Sequence, residues 1–510
     1  MSYSFYPIKN DPCPNVGHCP HAGGAAISVL VLQGNENQQH LRCLNGTIDA
    51  QRLQIHQLVQ ENEKLKADLA QTKLELKLER QNKFATHSQK NQDTEPDVPA
   101  ADTPAAEAAK KRGAPLGHPG WFRPTPSEFD WEIDVPAPLR CPHCQGKVSR
   151  LKSVQPIEHL QEDIIDNVYR VVCYRHEASR CDACGKHVQQ PGEGELLGSR
   201  IGPQLRCIVA WLRNSIGITY RKVPQVIEEL YGVKFTPAAL IGFETMLADK
   251  SRPIVEDIRK KLASSDGAVH ADETYWTTDG DRSYFWVHGD TKFIHFQYDT
   301  TRAGQVTRNI LGNDFTGTLV TDCYSGYSAS VAGAKQKCLA HVSRKARDWQ
   351  KLVASDSGDF VFFSDIKHFV NRACRFCNRR AAGELSKKKI AGEKQWLRDE
   401  LHRLQWCDVT HDKAITLQAL LIRHEGEWLV FLDDARVSPT NNLAERALRP
   451  LVVLRKITFG SRTDAGATRM AQLMTVAETS RRHGKRVRDI YYELYVRPPD
   501  KVLRSLYAGQ

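Results

Sequence analysis

Gly267–Thr274, GAVHADET, is the stretch whose reading decides the fold. An apolar run ends there in two adjacent carboxylates, Asp272 and Glu273. That pattern predicts a buried strand delivering an acid at its end, where a hard divalent cation finds oxygen ligands on a rigid support. Thr316–Asp322, TGTLVTD, repeats the pattern and is followed by a small polar turn, CYSGY. Two strand-end aspartates require a third acid. Asn441–Pro450, NNLAERALRP, supplies Glu445 on a predicted helix opened by Asn and closed by Pro.

Glu425, Glu427, Asp433 and Asp434 also follow the second aspartate. Asp433 and Asp434 end an apolar run, WLVFL, and strand-end logic alone ranks them with Asp272 and Asp322. The turn Arg436, Ser438, Pro439 then leaves them in solvent as loop charges. A helix from Asn442 instead sets Glu445, Leu448 and Arg449 on one side, so an acid, an apolar anchor and a cation share the face packed on the sheet.

Outward from the first acid, Tyr284–Gly289 and Phe293–Tyr298 read as a hairpin, Lys335–His341 as a further strand, and Val342–Lys351 as a basic helix. Strand, hairpin, strand and helix in this order resemble the α/β ribonuclease H-like fold, whose central-strand acids hold two Mg²⁺ ions. Residues 357–437 are amphipathic and helical in pattern and carry Trp396, Trp406 and Trp428. They read as an insertion between the second and third acids, tolerated because closure entropy grows slowly with loop length.

Upstream lie two Cys-x-x-Cys knuckles, Cys141-Pro-His-Cys144 and Cys181-Asp-Ala-Cys184, each followed by a glycine, Gly146 or Gly185. Four thiolates converging on one Zn²⁺ leave no water position, so the site is structural, and the glycines are expected to release the turns. A β-like run, Asn167–Arg175, carries the chain between the knuckles. Cys374-Arg-Phe-Cys377 has no partner pair and reads as packing. Residues 201–250 read as three short helices, either a helix-turn-helix contacting DNA or a linking bundle.

Lys110–Pro126, KKRGAPLGHPGWFRPTP, is basic with Trp121 and Phe122 interleaved, and fits either a nucleic-acid backbone or an ordered surface loop. Leu41, Ile48, Ile55, Asn62, Leu69 and Leu76 recur every seven residues, with Leu44, Leu58 and Leu65 at the complementary position and Gln51 and Thr72 as its weak members. This is a coiled-coil pattern, and Asn62 in the core row favours a parallel homodimer. A helix packed on its own body is the alternative. Gln81–Ala109 reads as a flexible spacer. In the first forty residues, Cys13, His18, Cys19 and His21 lack periodic apolar neighbours to frame a metal site.

The chain has 510 residues, 41% hydrophobic and 26% charged, enough for several domains and a substantial core. Ala25–Leu32, the longest apolar stretch near the start, is too short to span a bilayer and lacks a signal-like basic flank, so a cytoplasmic protein without membrane partners is expected. Its 14 cysteines are then free thiols or metal ligands rather than disulfides. The net charge is +11, and residues 441–510 hold 14 Lys and Arg against 6 Asp and Glu, so a polyanion is the natural partner.

Four blocks carry a resemblance to a known family: Asp272-Glu273-Thr274; Thr321-Asp322-Cys323-Tyr324-Ser325-Gly326-Tyr327; Cys338-Leu339-Ala340-His341 with Arg344-Lys345; and Asn441–Pro450 followed by Arg455-Lys456. The chain resembles the large transposase of the insertion-sequence-66 family, a DDE transposase. The zipper, the basic Gly-rich stretch and the knuckles match that layout. Cys323 stands where a Gly is usual after the second aspartate, and Ala114 replaces a Gly in the basic loop.

The resemblance implies a bacterial, nucleoid-associated enzyme that binds double-stranded DNA at element ends and target, cleaves it and transfers strands. Asp272, Asp322 and Glu445 would hold two Mg²⁺ or Mn²⁺ ions, and Cys141, Cys144, Cys181 and Cys184 a structural Zn²⁺. Arg446, Arg449, Arg455 and Lys456, with His341, Arg344 and Lys345, would contact the DNA backbone. A homodimer or higher oligomer and accessory transposition proteins are the other partners. A nuclease of the same fold without joining activity, or a DNA-binding regulator with a dead core, are the rival readings.

The expected architecture is multidomain: an irregular segment (1–40), an N-terminal leucine-zipper coiled coil (41–80), a linker with the basic loop (81–126) and a zinc ribbon (127–195). A helical, helix-turn-helix-like DNA-binding region (196–262) follows. The ribonuclease H-like catalytic core (263–356 and 438–480) carries a helical insertion (357–437), and a basic tail (481–510) closes the chain.

Overall fold

A computed structural model describes residues 51, 53–64, 66 and 123–508. The chain divides into two units, Met1–Arg112 and Gly113–Gln510. In the first, the described residues are helical, and Leu53, Ile55, Leu58 and Val59 are exposed. The other heptad positions except Gln51 and Asn62, the Cys13–His21 segment, and the basic loop up to Phe122 lie outside the described residues.

The second unit opens with two small sheets built from β1 (Trp131–Val135), β2 (Val148–Arg150), β3 (Ile157–Ile165), β4 (Val168–His176) and β5 (Ser179–Cys181). β4 lies between β1, which runs parallel to it, and β3, which is antiparallel, while β2 and β5 pair antiparallel and bring the two knuckles together. Helices Pro203–Trp211 and Val223–Tyr231 follow, joined through a π-helical turn at Leu212–Ile216. The third expected short helix is instead 27 residues long, Pro237–Ala263, and runs through Pro253. Its buried side, Leu247, Ile254, Ile258 and Leu262, belongs to the main core, and that burial carries the helix past the proline.

The main sheet contains β6 (Ala268–Thr278), β7 (Asp281–Gly289), β8 (Ile294–Asp299), β9 (Thr318–Thr321) and β10 (Ala334–Lys337), in the order β10-β9-β6-β7-β8. Only β7 runs against the others. β6 does not stop at Asp272: it pairs with β7 as far as Thr278, so the acid sits mid-strand. β10 ends at Lys337 rather than His341, because Cys338 caps a helix at Leu339–Trp349 and puts His341 in its first turn.

Alternation along β6 separates the two faces. Val269 and Ala271 face a core shared with the Pro237 helix and with helices Asp464–Arg482, Val487–Val496 and Pro499–Tyr507. Val487, Ile490, Tyr491, Leu494, Val502 and Leu506 are buried there, so residues expected as a basic tail form two core helices. On the other face, Trp276 packs with Ala444, Ala447, Leu448, Leu451 and Leu454 of helix Asn442–Thr458. That helix does not end at Pro450, which lies exposed inside it, where water can satisfy the carbonyl a proline leaves unpaired.

Residues 358–433 hold helices at Gly358–Ala381, Lys387–Trp406, Asp412–Arg423 and Val430–Asp433, around a core shared with Val320 of β9 and with Leu339, Val342 and Ala346 of the Leu339–Trp349 helix. Trp428 is fully buried in it, and Cys374 and Cys377 pack against it. Gln336 of β10 docks the insertion, donating to Trp428 O at 2.9 Å and accepting from Phe431 N at 3.2 Å. Among the described residues, no helix is long and apolar enough to cross a membrane.

Candidate active site

β6 and β9 run parallel, with Ala268 opposite Thr318, Val269 opposite Leu319 and His270 opposite Val320. The same offset carried two places on sets Asp272 beside Asp322, just past the end of β9. Each aspartate is aimed by a backbone N–H: Asp272 Oδ1 accepts from Glu273 N and Asp322 Oδ1 from Tyr324 N, both at 2.9 Å. Cys323, between the latter pair, packs against the insertion core, and burial pushes its thiol up to about 11.

Glu445 comes from the first turn of its helix and is about a quarter exposed. Burial, then the charges of Glu273 and Asp322 and more weakly Glu445, push the Asp272 carboxyl up to about 8. Asp322 and Glu445 are thus both electrostatic neighbours of Asp272, although 173 positions separate Asp272 from Glu445. Arg344 Nη2 donates to Glu445 Oε1 at 2.9 Å, and His341 Nδ1 lies 3.7 Å from the same oxygen. Burial, followed by the neighbouring Arg344, holds the His341 imidazole below its usual range.

Alternation puts Glu273 on the opposite face of β6 from Asp272. There its almost fully buried carboxylate accepts from Arg302 at 2.6–2.8 Å and from the Tyr327 hydroxyl. Arg302 in turn lies over the Tyr324 ring, 3.9 Å from its centroid. Of the adjacent pair of acids in the sequence, Asp272 thus faces Asp322 as a candidate site residue and Glu273 is committed to the fold.

Asn441, which the sequence reading treats only as a helix opener, is fully buried. Its side chain does not cap the helix. Instead it donates to Ala271 O at 2.7 Å and accepts from His270 Nδ1 at 3.1 Å, gripping β6 immediately before Asp272. No sequence signal marks this role, because the grip spans 170 positions. A second unforeseen contact comes from Lys337, which is buried and donates to Thr321 Oγ1 at 3.1 Å, next to Asp322.

The cations do not form one set. Arg446, Arg449, Lys456, Arg344 and Lys345 are exposed. Arg449 points to solvent rather than onto the sheet, while Leu448 is buried as expected. Arg455 is committed to the fold: it donates to Thr274 Oγ1 at 3.0 Å and to Tyr275 O, and stacks 3.5 Å from the Tyr275 ring centroid. Asp433 ends a short helix, not a strand, and pairs with Lys394 and Arg398; Asp434 pairs with Arg436, which holds it below the usual carboxylate range.

In the cysteine module, Sγ of Cys141 lies 3.7 Å from that of Cys184, and Cys144 Sγ 3.5 Å from Cys181 Sγ. All four sulfurs lie within 4.8 Å of one another. Tetrahedral zinc–thiolate bonds of about 2.3 Å put sulfurs at roughly this spacing. Backbone N–H groups of His143 and Cys184 point at Cys141 and Cys181, and the Cys184 N–H leads in lowering the Cys181 thiol to about 6. Gly185 takes the left-handed turn at φ +71°, but in the first knuckle Gln145 does so, at φ +61°. Gly146 serves close approach instead: a Cβ there would sit 2.8 Å from Ala183 Cβ and 3.3 Å from two of the sulfurs.

Residues 198–469, more than half of the chain and including all three acids, match the model of a family described as transposase IS66 family. The chain belongs to the IS66 transposase family. Membership makes DNA transposition its family-level activity and phosphoryl transfer the associated chemistry. An uncharacterized protein, y4hP, of Sinorhizobium fredii (strain NBRC 101917 / NGR234) is similar to the chain, 23% identical over 406 residues that cover 70% of each. The cysteine module precedes the segment matched to the IS66 family.

Proposed function

We propose that this chain binds the ends of its mobile element and catalyses divalent-metal-dependent phosphodiester cleavage and strand transfer on double-stranded DNA. The observation that carries the reading is the parallel register of β6 and β9, which sets Asp272 beside Asp322, with Glu445 reaching the same acid from the first turn of its helix. The strand order, with β7 alone reversed, supports a ribonuclease H-like core.

The donor set fits Mg²⁺ or Mn²⁺: three carboxylates, hard oxygens only, whose mutual repulsion a cation relieves. Asp272, Asp322 and Glu445 would hold such ions, whose chemistry when bound is Lewis-acid activation of the attacking oxygen and stabilisation of the leaving one. Asp272 and Asp322 would be held to that task by the Glu273 and Tyr324 N–H groups, and Glu445 by its helix. Water and then the freed 3′-hydroxyl are the nucleophiles; the raised Cys323 thiol is unsuited to the role.

Arg446, Arg449 and Lys456 would line the duplex backbone, with Arg344, Lys345 and His341 on the neighbouring helix. Arg455 would act by position, locking the Glu445 helix to β6. The four thiolates would hold a structural Zn²⁺, and the helical segment within 41–80 would make the protein a homodimer or larger. The test is incubation of the full chain with element-end and target DNA in Mg²⁺. Joined product is expected; cleavage without joining would make the protein a nuclease, and binding without either would make it a regulator.

A further inference from the structure

His159, His176 and Glu195 meet apart from both the acids and the thiolates. His159 lies on β3, His176 ends β4, and Glu195 comes from the loop after β5. The Glu195 side chain is fully buried, and among the described residues its ionic partners are these two histidines. His159 Nδ1 is 2.5 Å and His176 Nε2 2.8 Å from the same Oε1, while Oε2 accepts from Gly192 N at 2.7 Å. The loop is pinned on both sides of Glu195: Gln161 donates to Gly194 O at 2.9 Å and accepts from Leu196 N at 2.7 Å.

The other nitrogen of His159 decides what lies between these groups. Nε2 is 3.1 Å from Ser199 O, a carbonyl that can only accept, so Nε2 carries the hydrogen. A neutral His159 then turns the Nδ1 lone pair toward a carboxylate oxygen, and two acceptors at that distance require a cation between them. A buried carboxylate requires one as well.

We propose that the cation is a divalent transition-metal ion of the zinc class, held by His159 Nδ1, His176 Nε2 and Glu195 as a second metal site, with its fourth position left to water. Two imidazoles select such an ion over Mg²⁺ or Ca²⁺. The Ser199 contact is the kind of outer hydrogen bond that orients a ligating histidine. Metal–ligand bonds of about 2.0–2.2 Å hold ligand atoms roughly 3.3 Å apart, so the contacts would open by less than about 1 Å. His159, one-fifth exposed, can supply that movement. The ion would fasten β3 and β4 to the loop that leads into the Pro203 helix.

Zinc per chain is measured on the full-length protein by elemental analysis, in excess Mg²⁺ to keep zinc off the acids. Two ions are expected in the wild type and one in each of His176→Gln, His159→Asn and Cys181→Ser. X-ray absorption of the ion remaining in Cys181→Ser should show nitrogen and oxygen neighbours. His159→Asn, at the partly exposed position, covers the case in which His176→Gln fails to fold. One zinc per wild-type chain that is retained in both histidine variants, or sulfur neighbours around the ion that remains, overturns the proposal and leaves a shared proton as the cation.

Discussion

Asn441 Nδ2 donates to Ala271 O at 2.7 Å, and this bond ties the helix of Glu445 to the strand of Asp272. The same side chain accepts from His270, so one buried amide fixes the separation of two acids from opposite ends of the core. Leaving its partners unsatisfied costs on the order of 1–3 kcal/mol. Asn441→Ala is expected to lower cleavage at least tenfold while the protein stays folded and binds DNA. Single-turnover cleavage at increasing Mg²⁺ checks it; wild-type rates would show that Asn441 has no positioning role.

Glu445 and Asp434 separate the competing assignments of the third acid. Asp434 is held by Arg436 at the surface, whereas Glu445 contributes to the potential at Asp272. Glu445→Gln should abolish cleavage at any Mg²⁺ concentration and retain end binding, and Asp434→Asn should change neither much. A dead Asp434→Asn with an active Glu445→Gln would reverse the assignment.

Metal-free stability should depend on pH through Asp272. Its folded carboxyl, near 8, lies above the unfolded value of about 3.9, so the folded state holds the proton more tightly. That contribution is complete below about pH 4 and is lost as pH rises to about 8. In EDTA the melting temperature should therefore fall across this window, and Asp272→Asn should flatten the fall and raise Tm near pH 8. Equal pH profiles for the two proteins would rule out the coupling.

Oligomerisation is expected to depend on the first unit, where Leu53, Ile55, Leu58 and Val59 are exposed on a helix. A chain beginning at Lys110 should be monomeric by light scattering, and the full chain at least dimeric. The same state for both would place the main contact elsewhere.

Much of the candidate site was legible because its parts are local. An apolar run ending in Asp272, a second ending at Asp322 and a helix presenting Glu445 each leave a short-range signature, as do two Cys-x-x-Cys knuckles. Boundaries were less legible where burial overrode local signals. Pro450 reads as a stop, yet it lies inside a helix whose apolar face is covered by the core, and the helix read as ending by residue 250 runs on through Pro253 for the same reason. The last thirty residues read as a tail because their positive charge is conspicuous, while Ile490, Tyr491, Leu494, Val502 and Leu506 gain their meaning only from the core they enter.

The sequence by itself determined which acids and thiols are chemically suited to metal and which residue types surround them, since composition and spacing carry that information. Only the tertiary structure decided that Glu273 turns away from Asp272, that Arg455 is spent on Tyr275, and that Asn441 grips β6. Strand alternation, a stacked guanidinium and a hydrogen bond across 170 positions depend on which surfaces meet, and hydrophobic burial across the whole core sets those meetings.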